Sequence, residues 1–86
     1  MVRVDIYTRA DCCLCVAAKA VIERVQREQP ALACEVAEID VDADPALAAR
    51  FGAEVPVVFI GGRKAFKVRV DEAELLRRLR AEAVRA

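Results

Sequence analysis

The spacing of apolar residues changes period between Thr8 and Cys13, and that change constrains the fold more than any other feature. In "VRVDIYT" the residues Val2, Val4, Ile6 and Thr8 alternate with Arg3, Asp5 and Tyr7, the period-two pattern of a strand with one buried face. From Cys13 to Glu28 the pattern turns helical. Leu14, Ala18, Val21, Ile22 and Val25 share one face, and Glu23 and Arg27 pair four residues apart on the outside. Pro30 ends the run because it cannot continue a helix. "CEVAEIDVD" then reads as a second strand, with Ile39 and Val41 on one face and Glu38, Asp40 and Asp42 on the other. Strand, helix and strand together predict a right-handed parallel crossover.

The second half carries its own punctuation. Asp44-Pro45 is a helix start, an N-cap followed by proline at the first helical position. Gly52 ends that short helix as a residue that tolerates positive φ. "VPVVFIGGRKAFKV" reads as a hairpin, two β-rich runs joined by Gly61-Gly62. Asp71 with Glu74 three residues later begins a last helix, whose inward stripe is Leu75, Leu76, Leu79 and Ala83. The expected order is β-α-β-α-β-β-α, an α/β fold with a mixed four-stranded sheet and helices on both faces. At 86 residues, with no linker or repeat, residues 1–86 are expected to form a single domain.

Composition excludes several classes of function. A chain that is 57% hydrophobic and 33% charged has a globular profile rather than a disordered one. Its longest apolar stretches, such as Val55 to Ile60, are too short to cross a bilayer. "MVRVDIYTR" places charges where a signal peptide needs an apolar core, so the expected location is the cytoplasm. Net charge is zero. Glu35, Glu38, Asp40, Asp42, Asp44 and Glu54 crowd the middle, and Arg63, Lys64, Lys67 and Arg69 follow. A nucleic-acid surface needs an excess of positive charge, so no nucleic acid, no membrane and a monomer are expected.

The junction between the first strand and the first helix reads "ADCCLC", with Cys12, Cys13 and Cys15 close together. They lie within a turn's reach of one another and cannot staple distant parts of a fold. A disulfide framework belongs to secreted chains; in a reducing compartment clustered cysteines carry chemistry or metal. A small buried thiol accounts for Cys34, but accounts poorly for three thiols at the start of a helix.

A Cys-x-x-Cys at a strand-to-helix junction, in this order of elements, resembles the thioredoxin superfamily, and within it the short glutaredoxin-like proteins. "YTRADCCLCVAAK", "IDVDADPALAARFG", "VPVVFIGG" and "RVDEAEL" match in order and cover nearly the whole chain. The resemblance implies a dithiol–disulfide oxidoreductase with Cys12 as nucleophile and Cys15 as resolving thiol. Cys12 at a helix N-terminus would meet free N–H groups and the positive end of the dipole, which favour a thiolate. Pro56 matches the superfamily's cis-proline, and Val55 would pair its backbone with the substrate. Arg9, three residues before Cys12, stands where many glutaredoxins have a basic residue. It either favours the thiolate and attracts the carboxylate of glutathione, or is an exposed strand-end arginine. The implied partners are a disulfide-containing protein or a low-molecular-weight thiol, with glutathione or a reductase as electron donor and no tightly bound cofactor.

Departures from the family pattern weigh against glutathione binding and leave the thiol chemistry in place. A second Gly-Gly that would hold the glutathione backbone is missing from "AFKVRVDEAEL", where Asp71 already caps a helix. Glu54 stands where a threonine is common. Asp5 lies one residue from the place of the buried acid of thioredoxins, which Ile6 holds, and a one-residue shift turns a strand side chain to the other face. Without histidine, Cys15 would lose its proton to water or to a nearby carboxylate.

Two other classes remain. Cys12, Cys13, Cys15 and Cys34 could form a thiolate set for zinc or an iron–sulfur cluster, although adjacent cysteines rarely face one metal. Copper chaperones also have a Cys-x-x-Cys before their first helix, but their order ends in a strand. "DVDADP" lacks the glycine and glutamate of a calcium loop, Phe51 being its twelfth residue. A thioredoxin-fold module that only binds proteins would leave the cysteine pair unexplained.

Overall fold

Val2, Val4, Ile6 and Thr8 are buried on one face of the first strand, β1 (Val2–Thr8), and this strand organises the rest. In the computed structural model, which describes residues 1–85, β1 lies second in a four-stranded sheet of order β2-β1-β3-β4. It pairs in parallel with β2 (Cys34–Asp40) and antiparallel with β3 (Val57–Ile60), which forms a hairpin with β4 (Arg63–Lys67). The remaining elements are α1 (Cys13–Glu28), α2 (Pro45–Phe51) and α3 (Glu72–Arg85). The mixed sheet and the β-α-β-α-β-β-α order agree with the reading of the sequence.

The two faces of the sheet are covered unequally. On one, Val2, Val4, Ile6, Val58 and Ile60 pack against Ala18, Ile22 and Val25 of α1 and Leu75 and Leu79 of α3. On the other, Val41, Phe51 and Val57 form a smaller cluster with Tyr7 and Phe59. The Tyr7 and Phe51 rings lie 4.6 Å apart, and Phe59 meets both edge-on.

Capping follows the local sequence. Asp44 Oδ1 accepts from the Ala46 N–H at 2.9 Å, and Asp71 Oδ2 from the Glu74 N–H at 2.9 Å. Gly61 (φ 59°) and Gly62 (φ 82°) turn the hairpin through backbone angles that side chains disfavour.

Three expectations are corrected. Val41 does not extend β2; it begins a 3₁₀ turn, Val41–Ala43, because Asp40 caps the backbone by accepting from the Asp42 N–H at 2.9 Å. Gly52 adopts ordinary helical angles (φ −56°, ψ −32°). It is glycine for lack of room: a Cβ there would stand 2.8 Å from an Arg9 guanidinium nitrogen and closer still to the Ala48 carbonyl. Ala83 is exposed, and the last buried residue of α3 is Leu79.

Candidate active site

The parallel register sets Thr8 opposite Asp40, so β1 and β2 end together at one edge of the sheet. The segment leaving β1 carries Arg9 and Cys12, and the one leaving β2 carries Asp42. Residues opposite each other in this register share a face, which turns Glu38 and Asp40 toward α1 together with Ile6 and Thr8.

Cys12 is the N-cap of α1, and its Sγ accepts a hydrogen bond from the Cys15 N–H at 3.2 Å. The sulfur takes the place that a serine or aspartate oxygen fills at other helix starts, and so sits among unpaired N–H groups. Cys15, one turn on, points inward and is 3% exposed. Burial pushes its thiol up to about 11, and a side-chain hydrogen bond between its thiol and the Cys12 sulfur acts in the same direction. The Arg9 backbone N–H and the Lys19 charge pull the other way. Cys13 is exposed. Cys34 begins β2 and its S–H donates a hydrogen bond to the Leu32 carbonyl at 3.1 Å; burial raises its pKa too. Among the described residues, no three histidine, cysteine or acidic side chains are grouped to hold a metal ion.

A cavity of about 610 Å³ opens beside the pair, lined among others by Thr8, Arg9, Cys12, Cys15, Lys19 and Glu38. Arg9 lies on it with its charge already engaged. Nε donates to Asp42 Oδ2 at 2.9 Å, Nη2 to Asp42 Oδ1 at 3.0 Å and Nη1 to the Gly52 carbonyl at 3.0 Å. This two-pronged contact holds the Asp42 carboxyl below the usual range.

Val55 and Pro56 lie across β1 from this cavity, at the start of β3. Their peptide bond is cis, and Pro56 is buried. The Val68 N–H donates to the Pro56 carbonyl at 2.8 Å and the Glu54 carbonyl at 3.1 Å. Val68 itself has φ 69°, a left-handed angle uncommon for a β-branched residue. A second groove of about 290 Å³ runs from here to α1, lined among others by Leu14, Ala17, Val21, Val68, Arg69 and Asp71. The first turn of α1 thus separates two grooves: Cys12, Cys15 and Arg9 share one, and Leu14, between the two cysteines, lines the other. Glu54 is bound to Lys64 at 2.9 Å and Lys67 at 3.7 Å, and Lys64 holds its carboxyl below the usual range. Asp5 pairs with Arg3 at 3.2 Å on the strand face opposite Ile6.

Sequence reasoning missed Thr8, Lys19 and Glu38. One signal was available: Lys19 stands four residues after Cys15, the spacing that puts both on one helical face.

Residues 3–80 match the profile of the glutaredoxin-like domain family (DUF836). The chain belongs to this glutaredoxin-like family. This glutaredoxin-like chain is 36% identical to an uncharacterized protein of Mycobacterium tuberculosis, over 98% of its own length and 84% of the relative's. Among solved structures it is similar to the structural-genomics target protein XcR50 from X. campestris, with 28% identity, coverage of 91% and 96%, and a TM-score of 0.75. It is similar in fold to chloroplastic thioredoxin z, with 17% identity, coverage of 98% and 80%, and a TM-score of 0.76. A mutant thioredoxin from Halobacterium salinarum is 28% identical, with coverage of 93% and 73% and a TM-score of 0.62. The glutaredoxin-like domain thus has a thioredoxin-like fold, and fold and family together support a redox-type role. No helix among the described residues is long and apolar enough to cross a membrane.

Proposed function

We propose that this protein is a dithiol–disulfide oxidoreductase, with Cys12 as the attacking thiol and Cys15 as the resolving one. The observation that carries the reading is the division of labour at the start of α1. Cys12 is half-exposed with a backbone donor aimed at its sulfur, and Cys15 stands buried behind it, linked through that same hydrogen bond. The thiolate of Cys12 attacks a disulfide of the substrate, and one substrate sulfur leaves as a thiolate. Cys15 then attacks the mixed disulfide, closes the Cys12–Cys15 bond and releases the second substrate thiol. A low-molecular-weight thiol such as glutathione, or a reductase, returns the pair to the dithiol form, in keeping with a cytoplasmic setting.

Val55 offers backbone to the substrate at the start of β3, and Pro56 fixes that backbone. Arg9 contributes a charge near Cys12, but one bound to Asp42 and Gly52. That engagement, with the second Gly-Gly missing from "AFKVRVDEAEL", supports a substrate other than glutathione itself.

In a reductase assay on a neutral disulfide such as hydroxyethyl disulfide, Cys12→Ser is expected to fall to the uncatalysed background. Cys15→Ser is expected to keep the first attack and accumulate a mixed disulfide, visible by intact-protein mass spectrometry. Full activity in Cys12→Ser would overturn the reading.

A further inference from the structure

Thr8, Lys19 and Glu38 are not used by the dithiol scheme, yet they are bound to one another at the side of Cys15. Thr8 is the one polar side chain in the buried set of described residues, 5% exposed. Its Oγ1 donates to Glu38 Oε2 at 3.0 Å, and Lys19 Nζ donates to the two Glu38 oxygens at 3.1 and 3.3 Å. Lys19 and Thr8 together hold the Glu38 carboxyl below its usual range, Lys19 more strongly. An ion pair from a helix to an edge strand is ordinarily loose. Here the carboxylate is tied from below by a buried hydroxyl, which limits where the ammonium can go. The ammonium is tied one helical turn after Cys15, on the wall of the cavity that Cys15 also lines.

Cys15 is buried, and burial disfavours the thiolate it needs in order to attack. The charged and titratable groups around it are Cys12 and Cys13 at the helix start, Arg9 and Asp11 from the segment after β1, Lys19 on its own helix, and Glu38 and Asp40 from β2. Both cations are ion-paired, Arg9 with Asp42 and Lys19 with Glu38. Lys19 is the one carried by the helix of Cys15 itself, four residues on and on the same cavity wall.

We propose that Lys19, moored by Glu38 and Thr8, is a positioning residue for the resolving step, its ammonium stabilising the Cys15 thiolate as it forms. The inference rests on the dithiol reading. The Cys15 S–H proton passes to water in the cavity, and the sulfur electron pair attacks Cys12 Sγ. The Cys12–substrate S–S bond breaks, its electron pair leaves on the substrate sulfur, and that thiolate takes a proton from solvent. Cys12 and Cys15 are oxidised together, the substrate is reduced, and Lys19 keeps its proton throughout.

The test is stopped-flow reaction of the full-length reduced protein, carrying Cys13→Ser and Cys34→Ser, with equimolar dithiobisnitrobenzoate. Attack by Cys12 releases one coloured thiolate, and resolution by Cys15 releases the second. In Lys19→Met the second phase is expected to slow about tenfold at neutral pH, with its rise displaced upward by about one pH unit, since a lost cation raises a thiol pKa. The first phase should hold its rate, and Lys19→Arg should restore the second. Glu38→Gln should slow the second phase by less, because it keeps the cation and frees it. Equal second phases in Lys19→Met and its parent would overturn the role of Lys19 and leave the dithiol reading standing. Equal slowing of both phases would overturn it as well, by showing a general loss of structure, which the thermal midpoint would register. A parent releasing only one thiolate would overturn the dithiol reading, and this inference with it.

Discussion

The two grooves beside the first turn of α1 are held in different ways. On the β2 side the contacts run between side chains: Arg9 to Asp42, Lys19 to Glu38, Glu38 to Thr8. On the β3 side they run between backbone groups, Val68 to Glu54 and to Pro56. A side-chain contact depends on which residue is present, so the first groove is where charge and reactivity can be tuned by substitution. A backbone contact is nearly blind to side-chain identity, so the second keeps its shape while its lining changes. Val68 illustrates the point. It holds a left-handed angle that suits glycine, yet makes both hydrogen bonds.

The strongest way to break this comparison is Val68→Pro. Proline removes the shared donor and fixes φ near −65°, incompatible with the observed 69°. A loss of about 3 kcal/mol or more in unfolding free energy is expected from urea titration. A loss below about 1 kcal/mol would show that the backbone contacts do not hold this side. The companion substitution Val68→Gly has the opposite sign. It relieves a strain of order 1–3 kcal/mol and adds about 0.5–1 kcal/mol of unfolded-state entropy, so a net gain of about 1 kcal/mol is expected. A lowered urea midpoint in Val68→Gly would mean that the valine side chain packs well enough to outweigh its backbone.

The same contrast explains what could be read from the sequence. Local signals were legible. The alternation of Val2 to Thr8, the helical period from Cys13, Asp44-Pro45, Gly61-Gly62 and the Asp71–Glu74 cap each act over a few residues, and all reappear in the structure. The cis peptide before Pro56 was legible through family resemblance rather than through local physics. Long-range side-chain pairing was not legible. Arg9 and Asp42 are 33 residues apart, and Thr8 and Glu38 are 30 apart. Both pairs depend on the register between β1 and β2, which alternation alone does not set when an edge strand is as polar as "CEVAEID". Gly52 shows a subtler limit. Its position as a helix end was evident, but its reason, a Cβ position crowded by the Ala48 carbonyl and by the Arg9 guanidinium, is not written in any local signal, and the Arg9 part exists only once the two segments meet.

The smallest effect on stability is expected from Asp42→Asn, and it sharpens the comparison from the side-chain side. The Arg9–Asp42 pair is exposed to water, so its removal should leave the urea midpoint nearly where it was. What changes is the charge available to the cavity. In the native protein the Asp42 carboxyl is held below its ordinary range by Arg9, so the pair is intact at neutral pH and is lost as the pH falls through that range. In Asp42→Asn the Arg9 guanidinium stays near Cys12 with its charge no longer cancelled. Reaction of Cys12 with an anionic disulfide, oxidised glutathione, should then rise about two- to threefold at low salt relative to neutral hydroxyethyl disulfide, and the difference should vanish at high salt. An unchanged ratio would show that Arg9 does not address the substrate even when released. A large fall in stability would show instead that the clamp is structural, and that the two sides of the helix are held with equal firmness.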